Sequence, residues 1–300
     1  MTEPSETVFL VTSIPPKIVR HDKWGREIGG EYQQACVASW LHAGFTPVSI
    51  NSIAEPRPSL EGVRYVTVRR DARRITGKPL IYFDDLLAEA SRLTDGPVVI
   101  TNADIVLKPP FDLRRLVSDL RAGEALFSQR SDVSDLSECS GSTYADGFDF
   151  FAICGRDLAA LPRSNLIFGW PWWDYFLPMS LILNGIKLRS VPQVAFHLLH
   201  QERHPDEAWF SMGQHYLQTQ RGLLRRTDGK IGLAIKAQMD EAARRARKNK
   251  RLLRLLLKLL RDPRSIKLKK RLLANTSAEI LEILRLAQVK VAIVEPVPPT

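Results

Sequence analysis

Cysteine is scarce in this chain, and Cys36, Cys139 and Cys154 form an odd set with no CxxC or other zinc-ligand spacing. Neither a disulfide framework nor a structural zinc is indicated, and a reducing, cytoplasmic setting is expected. Long apolar runs are also missing: no stretch approaches the roughly 20 residues that a membrane-spanning helix needs. The opening Met1-Thr2-Glu3-Pro4 has no basic n-region, so no signal peptide is expected. Internal repeats and Gly/Ser-rich linkers are absent as well, which argues against a string of small domains. What is present, 44% hydrophobic and 25% charged residues over 300 positions, suffices to bury a full core.

Excess charge is missing from most of the chain despite a net charge of +10. Between Arg244 and Arg271 lie 14 basic residues and one acid, Asp262, which leaves 29 basic and 32 acidic residues elsewhere. A body this close to neutral is not a dedicated nucleic-acid surface, so no nucleic-acid partner is expected. Within the basic stretch, Lys250 to Arg261 carries Leu252, Leu253, Leu256, Leu257 and Leu260 on one broad face opposite its cations. Such a helix suits an anionic membrane surface, or alternatively packs on the main domain or on a second copy of the chain. Pro263 closes it, and a capping box at Thr276-Ser277-Ala278-Glu279 opens a further helix.

Along the first 125 residues, strands and helices alternate. Val8 to Ile14, Pro47 to Asn51, Val63 to Val68 and Pro97 to Leu107 read as strands. Glu31 to Ala43 and Leu80 to Leu93 read as helices, and Asp112 caps another that ends by Gly123. This alternation predicts an α/β fold with a mixed, mainly parallel sheet flanked by helices. Farther on come a strand to Gln129, a polar loop through Gly141, a strand from Phe148 to Cys154, and a helix from about Trp172 to Asn184. The expected division is a domain over residues 1–235, a basic amphipathic helical extension over 236–294 and a disordered tail over 295–300.

Four clusters carry candidate chemistry. Asn102 and Asp104 stand two apart at the carboxyl end of an apolar strand, where open α/β sheets bind ligands and a carboxylate can hold Mg²⁺ or Mn²⁺ against phosphates. The competing reading is a strand-end Asx turn. Phe168 to Tyr175 gathers three of the six Trp residues around Asp174, whose carboxylate could deprotonate a hydroxyl beside rings suited to stacking on sugars; the competing reading is a Trp-rich core with a capping Asp. His197 and His200 offer imidazole ligands, although a buried His more often serves the core. Arg69 to Lys78 puts cations and a Gly before a helix start, where Lys78 could meet a pyrophosphate; Pro79 removes one amide donor there, and the other cations read as surface charge.

The order of these clusters over residues 8 to 205 resembles the GT-A glycosyltransferases, members of the nucleotide-diphospho-sugar transferase superfamily. Their short acidic motif matches Asn102-Ala103-Asp104, with Asn102 a departure from the first acid of that motif. The segment around Trp172 is similar to the Gly-Trp-rich acidic motif of inverting galactosyltransferases, in which the carboxylate acts as base. The resemblance implies a metal-dependent transfer of sugar from a nucleotide-sugar donor to a hydroxyl, with Asp174 as base. It implies Mn²⁺ or Mg²⁺ held by Asp104, His197 and His200. Thr12, Ser13 and Asn51, which end the first two strands, are expected from that position alone at the base and ribose of the donor, with Lys78, Asn102 and Asp104 also at the donor; the resemblance implies Asp146, Asp149, Trp172 and Trp173 at a saccharide or lipid-linked acceptor, Asp146 and Asp149 reading alternatively as turn carboxylates. Surface polysaccharide or glycolipid synthesis on the inner face of the membrane would follow, with oligomerisation through the C-terminal helices open. A membrane-recruited scaffold without activity is the alternative that Asn102 suggests. A nucleotidyltransferase is disfavoured, because Pro15-Pro16 stands where a Gly-rich phosphate loop would follow the first strand.

Overall fold

The computed structural model describes residues 7–138, 140–144, 147–191, 193–200, 208, 211–213, 215–216 and 219. The expected basic helix, the domain boundary near residue 235 and Asp146 lie outside them.

The elements in chain order are β1 (Phe9–Thr12), α1 (Gly29–His42), β2 (Thr46–Ser52), β3 (Arg64–Val68), α2 (Arg73–Thr76), α3 (Phe83–Leu93), β4 (Pro97–Thr101), β5 (Val106–Leu107) and α4 (Leu113–Ser118). They continue with β6 (Glu124–Ser128), β7 (Arg130–Val133), β8 (Ser142–Thr143), β9 (Phe150–Cys154), α5 (Gly155–Ala159), α6 (Trp173–Leu183), β10 (Lys187–Ser190) and β11 (Ala195–Leu198). Seven strands form one sheet in the order β10-β6-β9-β4-β1-β2-β3. Only β9 runs against its neighbours, pairing antiparallel with β4 and β6. A smaller sheet follows the order β5-β11-β7-β8. The expected mixed, mainly parallel sheet is therefore present.

The unbroken apolar run of β4 is explained by cover on both faces. Val98 and Ile100 point into a core shared with Phe83 and Leu86 of α3 and Phe176 and Leu177 of α6. Val99 points the other way, into a core with Tyr32, Cys36 and Trp40 of α1 and Leu113 of α4. Alternation along a strand thus builds two cores from one sheet. β1, α1, β2 and β3 follow the expected boundaries to within two residues, and Asp112 caps α4 as expected, accepting from the Arg115 backbone N–H, although that helix ends at Ser118 rather than at Gly123.

Three local expectations are corrected. The single strand over 97–107 breaks after Thr101, and its last two residues join the smaller sheet, so Asn102 and Asp104 sit in a turn rather than on one strand face. The helix over 80–93 begins three residues late, because extended chain at Tyr82 is bridged antiparallel to Ile167, with the Phe168 N–H donating to the Ile81 carbonyl and the Phe83 N–H to the Leu166 carbonyl. The polar loop after Gln129 contains β7, in which Ser131 and Val133 face inward while β7 pairs parallel with β11.

Candidate active site

The segment between β1 and α1, the turn after β4, the entrance to β9 and the paired strands β7 and β11 bring six titratable side chains together. Asp104 accepts from Arg20 Nη2 at 2.7 Å on Oδ2, and His197 Nε2 lies 3.3 Å from the same oxygen. The other ring nitrogen, His197 Nδ1, lies 3.0 Å from Asp132 Oδ1. Arg130 Nε donates to that Asp132 oxygen at 2.8 Å, and its Nη1 reaches Asp149 Oδ2 at 3.2 Å. Asn102 Nδ2 donates to the remaining oxygen of Asp149. Thr101 Oγ1 donates to the Asp149 carbonyl at 2.6 Å, which pins the start of β9 to the end of β4.

Asn102 now has a physical reason. A carboxylate at this position would stand against Asp149, whereas an amide donates to it, so the negative charge missing from position 102 is supplied from position 149. Tyr32 holds the opposite side: its hydroxyl donates to the Asp104 carbonyl at 2.6 Å and accepts from the Leu198 N–H at 3.0 Å. One buried phenol thereby fixes the turn bearing Asp104 to the strand bearing His197.

Burial opposes the charge of Asp104, but the hydrogen bond from His197 and the charges of His197, Arg20 and Arg130 outweigh it and hold the carboxyl well below the usual range. Asp132 is likewise lowered against the effect of burial by His197 and Arg130. His197 is raised, because its bonds to Asp104 and Asp132 overcome the effect of burial. Asp149 moves the other way: burial raises it, and the opposing charge of Arg130 does not compensate.

Asp174 sits beside this network. It lies in the first turn of α6, and the Phe148 N–H donates to its Oδ2 at 3.4 Å. Burial, then the charge of Asp149, push its carboxyl up to about 7. Its carboxylate is crowded on one side, and the backbone around it is irregular. Gly147 packs so closely that a Cβ there would meet Asp174 Oδ2 at 2.8 Å. Pro178 has no N–H to give the Asp174 carbonyl one turn earlier. Trp172, the residue before α6, has φ +84°, a strained conformation for a bulky side chain.

Asp104, His197 and His200 each offer a ligand atom, and these atoms all lie within 4.8 Å of one another. The residues fit a divalent cation. One carboxylate with two imidazoles suits Mn²⁺ better than Mg²⁺, which prefers oxygen donors throughout. Arg20 now places a positive charge on the oxygen that a cation would share.

The other expected contacts are placed as follows. Thr12 is fully buried at the end of β1 with its Oγ1 unbonded among the described residues, and Ser13 follows it half-buried. Asn51 is buried with both ends of its amide engaged, by Ser49 Oγ at 2.7 Å, the Ile14 carbonyl at 2.8 Å and Glu55 at 2.9 Å. Lys78 is exposed on the turn after Gly77. Trp172 and Trp173 are 1% and 2% exposed, their rings against Tyr216, Tyr175, Phe168 and Phe83. They form core rather than an open stacking platform, because α6 is apolar nearly all round and is enclosed on every side. Sequence reasoning missed Arg20, Tyr32, Arg130 and Asp132. The alternation of Ser131 and Val133 with Arg130 and Asp132 was the available signal for the last two.

No protein-family model and no curated protein matches the chain. Solved structures do match. HddC from Yersinia pseudotuberculosis, complexed with GMP-PN, is 9% identical with a TM-score of 0.34, over 69% of this chain and 98% of that one. A nucleotidyl transferase from Methanothermobacter thermautotroptrophicus is 13% identical with a TM-score of 0.35, over 74% and 99%. UDP-glucose pyrophosphorylase from Acinetobacter baumanii is 13% identical with a TM-score of 0.34, over 79% and 99%. At such TM-scores the activity of this chain has to be argued from its own residues.

Those residues combine an anionic turn, two imidazoles and a separate carboxylate poised near neutrality. The arrangement is suited to holding a cation and to taking a proton from a hydroxyl.

Proposed function

We propose that this chain is a glycosyltransferase that moves a sugar from a nucleoside-diphosphate donor to a hydroxyl acceptor, in surface polysaccharide or glycolipid synthesis. The observation that carries the reading is the convergence of Asp104, His197 and His200 within 4.8 Å, with Asp174 coupled to them through Asp149 at a pKa of about 7. A base with that pKa balances being ionised against pulling a proton near neutral pH.

In an inverting course, Asp174 takes the proton of the acceptor hydroxyl as its oxygen bonds to the anomeric carbon. The bond from that carbon to the diphosphate breaks, and the leaving group departs with the electron pair. A divalent cation held by Asp104, His197 and His200 would supply charge neutralisation to the departing diphosphate. Arg20 adds a fixed positive charge beside Asp104. Asn102 and Arg130 hold Asp149, whose negative charge keeps Asp174 basic.

The catalytic domain is assigned to residues 1–235, with the helical extension over 236–294 and the tail over 295–300 as further elements. No helix among the described residues is long and apolar enough to cross a membrane. The Leu and Lys/Arg pattern of residues 250–261 supports attachment to an anionic membrane surface instead.

The test is a thermal-shift panel of UDP, GDP and their sugar conjugates, with and without Mn²⁺. Stabilisation by one nucleotide, larger with Mn²⁺, is expected; at 100 times Kd it amounts to about 2.7 kcal/mol. No shift with any of them would leave the scaffold reading, which the Arg20 ion pair on Asp104 favours.

A further inference from the structure

We infer that Asp132, clamped by Arg130, is a positioning residue that fixes the His197 ring so that its Nε2 faces Asp104 and a divalent cation. The inference rests on the metal site proposed above and extends it to side chains that touch no ligand.

Three observations carry it. His197 and Asp132 are direct register partners on the parallel strands β11 and β7, so the backbone itself sets them side by side. The imidazole is held at both edges, Nδ1 to Asp132 Oδ1 at 3.0 Å and Nε2 toward Asp104 Oδ2 at 3.3 Å, which leaves the ring one orientation. Asp132 is itself immobilised, because Arg130 Nε donates to the same Oδ1 while its Nη1 reaches Asp149 and its guanidinium lies over the Tyr144 ring at 4.1 Å. A carboxylate accepting from Nδ1 leaves Nε2 as the ligand nitrogen and makes the imidazole a stronger donor. The chain of contacts also ties the ligand His197 to Asp149, and through Asn102 to the turn bearing Asp104. Both ligand-bearing segments are thus oriented from one guanidinium.

The probe is Mn²⁺ alone, titrated into the full chain and followed by electron paramagnetic resonance. Metal-free melting midpoints are measured alongside. Asp132→Ala is expected to weaken Mn²⁺ binding by about 10- to 100-fold. Asp132→Asn keeps a neutral acceptor and is expected to fall between it and the wild type. A purely structural Asp132 would lower the melting midpoints and leave the Mn²⁺ dissociation constant of the folded variants at the wild-type value, and that result overturns the inference. If Asp132→Ala does not fold, Asp132→Asn decides alone: weaker binding supports the inference, and wild-type binding overturns it. His197→Ala separates the two levels. If it binds Mn²⁺ as the wild type does, the metal site itself has failed; if it loses Mn²⁺ while the Asp132 variants retain it, only the positioning role has failed.

Discussion

Two polar clusters lie near strand ends, one within the seven-stranded sheet and one where that sheet meets the smaller one, and they are built on opposite principles. At the ends of β1 and β2, Ser49, Asn51 and the Ile14 backbone satisfy one another with neutral hydrogen bonds, and Glu55 is the one acid they enclose. Between the end of β4, the start of β9 and the strands β7 and β11, Asp104, Asp132 and Asp149 face Arg20, Arg130 and His197, and five of these six are displaced from their ordinary pKa values, Asp104 and Asp132 downward and Asp149, Arg130 and His197 upward. The first network, neutral but for the buried Glu55, holds backbone in place and anchors the start of the segment that delivers Arg20. Charged networks of like and unlike groups separate pKa values, which is what acid–base and metal chemistry requires.

The comparison is most severely challenged at Asp104. Asp104→Ala should abolish Mn²⁺ binding and lower sugar transfer on the order of 1000-fold, while circular dichroism stays native. Normal turnover would place the chemistry elsewhere. Asp174→Asn should reduce the rate on the order of 100- to 10,000-fold, with Mn²⁺ affinity kept.

The pH profile sharpens the same point. Because the folded-state pKa of Asp174 is raised to about 7, kcat/KM should climb as pH rises through that value and then level off. The stability linkage has the opposite sense: a carboxyl with a raised folded pKa stabilises at low pH, and that contribution is lost as pH rises from about 4 to about 7. Asp174→Asn should therefore raise the melting midpoint at pH 8 relative to the wild type and change it little at pH 4. A variant less stable at pH 8 would contradict the burial of this charge.

Asn102→Asp should destabilise by about 1 to 3 kcal/mol at neutral pH, because the amide donor to Asp149 is replaced by a second carboxylate. Acidification should relieve the effect, and pH-dependent urea unfolding would show it. The smallest effect on chemistry belongs to the neutral cluster. Asn51→Ala should cost about 1 to 3 kcal/mol of stability through the groups it strands, with Mn²⁺ affinity at the wild-type value. A change in metal binding would mean that the two clusters are coupled.

The sequence was most legible where periodicity and burial agree. β1, β2, β3 and α1 follow from apolar spacing and from Gly44 at φ +81° just past the α1 terminus. Asp104, Asp174, His197 and His200 stood out as chemistry-bearing side chains in a suggestive order. Their partners did not: Arg20 lies 84 residues from Asp104, and Asp132 lies 65 from His197, separations at which no local pattern announces a contact.

The sequence by itself determined the alternation of elements, hence a sheet covered on both faces, because side-chain periodicity is a local property. The tertiary structure alone decided what the polar residues do. It turned Trp172 and Trp173 into core, closed Asn51 into a backbone anchor and gave Asn102 its partner in Asp149. It also set Asp174 near neutrality, because burial and the distance between charges exist only after distant segments have packed together.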